Sequence, residues 1–97
     1  MKCSIHRLAA QDLLDAARFY RQEAGAAVAL RFVAEFERVA RLLQTEPGIG
    51  TPTSDGRQTF PLVGFPYSVI DRHTGDQLRI LVVRNQRRDP ALGESRR

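Results

Sequence analysis

Apolar residues recur every three or four positions over two long stretches in the first half of the chain. From Ala9 to Ala24 the repeating residues are Ala10, Leu13, Leu14, Ala17 and Tyr20. From about Ala27 to Thr45 they are Ala29, Phe32, Val33, Phe36, Val39, Ala40 and Leu43. This spacing places one apolar stripe on each of two amphipathic helices. Because only a short connection containing Gly25 separates them, we predict an antiparallel helical hairpin.

Short segments of strand-like sequence flank the two helices. Lys2 to Arg7 alternates small apolar and polar residues, and three more segments follow the helices, at Gln58 to Val63, Tyr67 to His73 and Gln77 to about Gln86. The last segment is apolar on both faces, which is typical of a central strand. The predicted fold class is therefore α+β. An N-terminal strand, the helical hairpin and a three-stranded antiparallel meander form one small sheet with the helices on one face.

The register of the final hairpin depends on the length of its turn. A two-residue turn at Gly75 and Asp76 would place Arg72 opposite Arg79, whereas a three-residue loop would place Asp71 opposite Arg79. Because the longer loop avoids setting two like charges against each other, we predict that register.

The chain of 97 residues is long enough for one modest core. We predict a single domain over residues 1–90 and a basic, flexible tail over residues 91–97, which has little apolar content.

No apolar run reaches the roughly 20 residues that span a bilayer, and the N-terminus lacks a signal-peptide core, so we expect a cytoplasmic protein without a membrane partner. One cysteine and two histidines cannot build a zinc site of the usual kind, and we expect neither metal nor cofactor.

The net charge of +4 is unevenly distributed along the sequence. Residues 8–50 carry five Arg against six acidic residues, a net of −1, whereas residues 57–97 carry eight Arg against four, a net of +4. The basic character therefore belongs to the hairpin and the tail, where Arg84, Arg87 and Arg88 lie at the exit of the last strand. Such a surface suits a partner rich in phosphate or carboxylate.

The basic end lacks the groups that RNA cleavage requires. Attack by a 2′-hydroxyl needs a base, an acid and stabilisation of phosphate charge, and arginine can supply only the last because it stays protonated. The remaining acid–base candidates form no compact motif; they are Tyr67, Asp71, His73, Asp89 and Glu94. The region also lacks the aromatic platform of a single-strand binder, so protein binding is at least as plausible as nucleic-acid binding.

A set of spaced motifs covers the chain from Ile5 to Pro90. They are Ala10-x-x-Leu13, Phe19-Tyr20, Arg31-Phe32, Pro47-x-x-Gly50, Gly64-Phe65-Pro66-Tyr67-Ser68-Val69-Ile70, Gly75-Asp76, Leu78-Arg79-Ile80-Leu81 and Gln86-Arg87-Arg88-x-Pro90. With this set the chain resembles the RelE/ParE superfamily of bacterial type II toxin–antitoxin toxins, and most closely its ParE branch. The resemblance implies a small toxin, associated with growth arrest and plasmid stabilisation. It also implies a ParD-like antitoxin that wraps and neutralises the toxin in a hetero-oligomer.

The two branches of the superfamily imply different targets. ParE-type members are associated with poisoning DNA gyrase, whereas RelE-type members cleave mRNA in the ribosome with a basic cluster and a Tyr or His. The basic positions of that cluster are matched by Arg79, Arg84, Arg87 and Arg88. Asp71 stands where many relatives carry Tyr, and Asn85 stands where many carry His. These departures favour gyrase binding over ribonuclease activity, and they leave open a weakened toxin that retains only antitoxin binding.

These considerations assign two predicted binding sites. Target binding is assigned to Arg84, Arg87 and Arg88. Antitoxin binding is assigned to apolar residues beside the first helix and the sheet, namely Phe19, Tyr20 and Phe65.

Overall fold

The fold is that of a computed structural model, which describes residues 2–87 and 91–97. Its elements in chain order are β1 (Lys2–Ile5), α1 (Arg7–Ala24), α2 (Ala26–Thr45), β2 (Thr51–Pro52), a 3-10 turn (Ser54–Gly56), β3 (Arg57–Pro61), β4 (Tyr67–Thr74) and β5 (Gln77–Asn85). The sheet has five strands in the order β1-β5-β4-β3-β2. The predicted α+β class is confirmed, with one strand more than predicted, because the two-residue β2 adds an edge beside β3. None of the helices in the described part of the chain is both long and apolar enough to cross a membrane.

The two helices lie on one face of the sheet, which we call the inner face. Gly25 joins them with φ at 95°, a conformation that suits glycine, and its N–H donates to Arg21 O at 3.1 Å. The core between helices and sheet is built from Ala9, Ala16, Phe32, Phe36, Val39, Leu43, Leu62, Tyr67, Val69, Leu78, Ile80 and Val83. The apolar stripe of α2 is buried as predicted, whereas α1 is rotated so that Ala9 and Ala16 are buried and Leu14 is 44% exposed.

The sheet is mixed, because β1 runs parallel to β5 while all other pairs are antiparallel. β1 covers only the first half of β5, from Gln77 to Ile80. Along the second half, α1 lies beside the strand, and Asp12 Oδ2 accepts the Val83 N–H at 3.1 Å. A side chain of α1 thus replaces part of the missing strand ladder.

The predicted register of the β4–β5 hairpin is wrong. Thr74 pairs with Gln77 across a two-residue turn, so that Arg72 lies opposite Arg79. The like charges are tolerated because each guanidinium has its own acceptor. Arg72 Nη2 donates to Asp55 O at 2.9 Å, and Arg79 Nη1 donates to Ser4 Oγ at 3.2 Å.

A β-bulge changes the register farther along the same hairpin. Ile70 pairs with Val82 and Asp71 pairs with Ile80, which leaves Leu81 without a partner of its own in the ladder. The bulge lets Ile80 and Val83 both reach the inner core. Ile70, Leu81 and Val82 form a second, smaller buried cluster.

Residues 91–97, which we call the tail, lie against the sheet face turned away from the helices, the outer face. Arg57 donates from both terminal nitrogens to carbonyl oxygens of the tail, and Arg96 pairs with Asp12 at 2.5 Å. The division into a domain over residues 1–90 and a flexible tail stays a prediction.

Candidate functional site

The basic end of β5 presents two of the three predicted target-binding residues. Arg84 is half-buried on the outer face, and its Nη1 donates to Leu92 O at 3.3 Å. Arg87 is exposed just beyond the strand, where its N–H donates to Asn85 Oδ1 at 2.9 Å. Gln86 N–H donates to Pro66 O at 2.9 Å and ties this exit to the β3–β4 loop. We call Arg84 and Arg87 the basic edge; Arg88 lies outside the described residues.

Arg79 does not join the basic edge. It lies near the start of β5, five residues before Arg84, which corresponds to about 17 Å along a strand. Its Nε donates to Arg97 O at 3.3 Å. The four arginines considered for a ribonuclease site are therefore not gathered into one described cluster.

Asp71 and Asn85, which the resemblance placed where many relatives carry Tyr and His, are both buried in the structure. Asp71 is fully buried, and its Oδ2 accepts from Gln58 Nε2 at 2.9 Å. Burial raises the pKa of Asp71 to about 6, against the opposing effects of the Gln58 hydrogen bond and the charge of His73. Asn85 is buried, and its Oδ1 holds the backbone of Arg87. Asp71 pairs with Ile80 of the inner core, so it faces away from Arg79 and Arg84.

An aromatic cluster brings together two of the predicted antitoxin-binding residues. The Tyr20 ring centroid lies 5.1 Å from that of Phe65 and 5.2 Å from that of Phe32. Tyr67 closes the cluster, with its ring 5.1 Å from Phe32 and 6.1 Å from Tyr20. These tilted and edge-to-face contacts fix the helical hairpin against the β3–β4 loop.

This cluster forms one wall of an apolar groove of about 640 Å³ between the helical hairpin and the β3–β4 loop. The groove is lined by Tyr20, Ala24, Val28, Arg31, Ala34, Glu35, Arg38, Val63, Gly64, Phe65 and Pro66. Val63, at its rim, is 70% exposed. An open groove with an apolar floor and charged rim is suited to receive an apolar side chain or helix of a partner.

Glu35 fastens the β3–β4 loop, which forms one side of the groove, to α2. Its Oε2 accepts the Val63 N–H at 2.7 Å, and its Oε1 accepts from Arg38 Nε at 2.7 Å. The hydrogen bond from Arg38 is the largest of the effects that lower the pKa of Glu35, and the Val63 N–H adds to it against partial desolvation. The groove is thereby held open by a charge-assisted contact between α2 and the loop.

Phe19 does not line the groove. It is 37% exposed, contacts Tyr20 edge-to-face at 5.5 Å, and faces a smaller cavity of about 220 Å³ between α1 and β5. The structure therefore brings Tyr20 and Phe65 to one surface and leaves Phe19 on its neighbour.

Sequence reasoning missed Arg57, which the pattern placed in a polar loop. Arg57 is only 7% exposed and occupies the outer face at the start of β3. A weak strand signal could have placed Arg57 in β3. It is the alternation of Arg57 and Thr59 with Gln58 and Phe60.

Known proteins resemble the chain in sequence and in fold. Residues 4–90 match the sequence model of the family described as the ParE toxin of the type II toxin–antitoxin system, parDE. No curated protein matches significantly. Among solved structures, a chain of the chromosomal ParDE toxin–antitoxin system from P. aeruginosa is 28% identical, with a TM-score of 0.79 over 88% of this chain and 95% of that chain.

Proposed function

The chain belongs to the ParE toxin family of type II toxin–antitoxin systems, and from that premise we propose that it is a cytoplasmic toxin that arrests growth by binding DNA gyrase and is neutralised by a ParD-like antitoxin. In this proposal the groove receives the antitoxin and the basic edge contacts the target.

The single observation that carries the binding mechanism is the burial of Asp71 on the sheet face opposite to Arg84. Arg84 and Arg87 can hold an anionic partner, but arginine is a poor general base. Asp71, which could have served, is buried toward the inner core. This arrangement supports docking over hydrolysis.

The groove supports the antitoxin half of the proposal. Tyr20 and Phe65 offer aromatic surface in a depression, which is where protein interfaces concentrate their binding energy. The β3–β4 loop lines this groove on one side, and on the other it accepts the Gln86 N–H and shares a second cavity with Arg87. An antitoxin in the groove would thus lie beside the basic edge and could obstruct it.

The test of the target is inhibition of gyrase-catalysed supercoiling by purified toxin. We expect inhibition by the wild type and about a tenfold loss of potency for Arg87→Ala, which corresponds to ~1.4 kcal/mol. Arg41→Ala is the matched control, since Arg41 is an exposed arginine on α2 whose only described ion pair is a 3.9 Å contact with Glu37.

The competing ribonuclease function predicts a different result. It would give cleaved mRNA in a ribosome-dependent translation reaction, with Arg87→Ala reducing cleavage and gyrase unaffected. Wild-type toxin that leaves supercoiling intact at micromolar concentration would contradict the gyrase proposal.

A further inference from the structure

Arg57 is a buried cation without a carboxylate partner among residues 2–87 and 91–97. Its terminal nitrogens donate to Gly93 O at 2.9 Å, to Glu94 O at 3.0 Å and to Arg96 O, all neutral acceptors, and its Nε has no described partner. Desolvation lowers the pKa of Arg57, and the nearby charges of Arg72, Arg97 and Arg84 lower it further, against the opposing charge of Asp55, which forms no ion pair with Arg57 among the described residues. A buried charge of this kind is costly unless an anion compensates it.

Other arginines of the outer face lie near Arg57 and also donate to the tail. Cross-strand pairing sets Arg57, Arg72 and Arg79 in one row across β3, β4 and β5. Arg79 and Arg84 donate to Arg97 O and Leu92 O of the tail. Backbone carbonyl oxygens of Gly93, Glu94 and Arg96 thus surround Arg57, at positions where an anionic ligand would bind more strongly. Hydrogen bonds between ions are stronger than those to neutral acceptors.

The tail is held on the sheet by one ion pair, by hydrogen bonds and by the close approach of Gly93, and a ligand could replace these contacts. Gly93 lies so close to the sheet that an added Cβ would come within 2.3 Å of Val82 Cγ2, and its φ is 83°. Arg96 forms the one described ion pair of the tail, with Asp12, and also donates to Leu81 O at 3.1 Å. Below the tail, Ile70 and Val82 are apolar and lie between the arginine row and Arg84.

The chemistry of this face selects a class of ligand. The positions paired across its centre are Thr59, Ile70 and Val82, which offer no aromatic ring for stacking nucleobases. An extended peptide can instead place apolar side chains on Ile70 and Val82 and carboxylates on the flanking arginines. Such a peptide would supply the negative charge that the tail carbonyls lack.

We propose that the tail is a displaceable strap over a binding surface for an acidic, partly apolar peptide segment of another protein, with Arg57 at its centre. The surface is separate from the groove, shares only Arg84 with the basic edge, and goes beyond the proposed function. Gyrase inhibition is tested at Arg87 and peptide binding at Gly93 and Arg57, so the two can fail independently.

The test is fluorescence anisotropy with a labelled peptide of alternating glutamate and leucine and, in parallel, a labelled single-stranded DNA oligonucleotide. In the full-length chain, Gly93→Ala displaces the tail without altering any charge. Because apparent affinity scales with the fraction of open molecules, we expect peptide binding to tighten on the order of tenfold. Gly75→Ala is the matched control, since Gly75 also has positive φ but has nothing within 4 Å of an added Cβ.

Adding Arg57→Gln to Gly93→Ala is expected to abolish the gain in peptide affinity. Circular dichroism establishes that each variant is folded, and Arg96→Ala serves as the second strap variant if Gly93→Ala does not fold. Equal peptide binding by wild type and both strap variants would overturn the proposal. Tightening toward the oligonucleotide alone would overturn the peptide assignment.

Discussion

Asp71 shows how one residue can oppose the stability of the fold that it helps to organise. Its Oδ2 and Pro47 O both accept from Gln58 Nε2, so the amide links β4 through β3 to the loop after α2. Its Oδ1 has no partner among the described residues. Burial therefore raises the pKa of Asp71 to about 6, and the charged carboxylate destabilises the folded state at neutral pH.

We expect the free energy of unfolding to depend on Asp71 between pH 4 and pH 6. Because the pKa is about 6 in the folded protein and lies near 3.8 when unfolded, the folded state binds the extra proton, and stability falls as pH rises through this window. Asp71→Asn should flatten this slope and raise stability at pH 7.5 by on the order of 2 kcal/mol. Urea unfolding at several pH values measures both effects.

Asp76→Asn is the control for that measurement, since Asp76 is exposed in the β4–β5 turn. An unchanged pH slope in Asp71→Asn would show that the buried carboxylate is not the group responsible.

Among the elements, the β3–β4 loop has the most consequential position. It forms one side of the apolar groove and is fastened to α2 through Glu35. Its Pro66 O also accepts the Gln86 N–H at the exit of β5. Its aromatic residue, Phe65, packs against α1 and α2. Substitution of Phe65 would therefore disturb packing together with binding, and a cleaner probe must come from the exposed rim.

Val63→Asp is expected to weaken antitoxin binding at least about tenfold while leaving the melting temperature within a few degrees, because it places a charge against an apolar partner at an exposed position. Leu30→Asp is the matched control. Leu30 is 71% exposed, as Val63 is 70% exposed, but it lies outside the groove. Titration calorimetry against a ParD-like antitoxin measures the difference. Equal losses for the two variants would place the antitoxin elsewhere.

Elements formed by local patterns could be predicted from the sequence. The stripe of α2 and the break at Gly25 are each contained within one short segment, and the structure confirms both helices. The turn at Gly75 was also predicted from its local sequence. The register of the β4–β5 hairpin was not, because it depends on hydrogen-bond acceptors for Arg72 and Arg79 that lie far away in the sequence. Pairing of like charges could not be judged without those acceptors.

The missed features of the candidate sites all depend on contacts between distant residues. The hydrogen-bond partners of Asp12 are Val83 and Arg96, which lie 71 and 84 positions away in the sequence. From the local sequence, Asp12 is explained only by its favourable position near the start of a helix. Arg57 acquires its role only when residues 93–96 fold over it. Tyr20 and Phe65, which the sequence assigned to one site, lie together in the structure. Phe19 lies apart because consecutive residues of an α-helix point about 100° away from each other.

At the scale of the whole molecule, charge and apolar surface are divided between different faces. The net charge of +4 resides in the second half of the chain, which supplies the outer face and the basic edge. The groove is largely apolar, and its Glu35 and Arg38 are paired with each other. Binding at the two places should therefore respond differently to ionic strength.

We expect gyrase inhibition to weaken several-fold between low and physiological salt, since screening reduces contacts made by exposed arginines. Antitoxin affinity should change much less over the same range. Parallel titrations in increasing sodium chloride compare the two. A steeper salt dependence for the antitoxin than for gyrase would show that the apolar groove is not the main antitoxin contact.

The aromatic cluster gives the protein an optical property of its own. The chain has no tryptophan and only two tyrosines. Both tyrosines, Tyr20 and Tyr67, belong to the cluster, and Tyr20 lines the groove. Tyrosine emission therefore originates entirely from the aromatic cluster, so that a partner free of tryptophan and tyrosine could be followed into the groove without any attached dye.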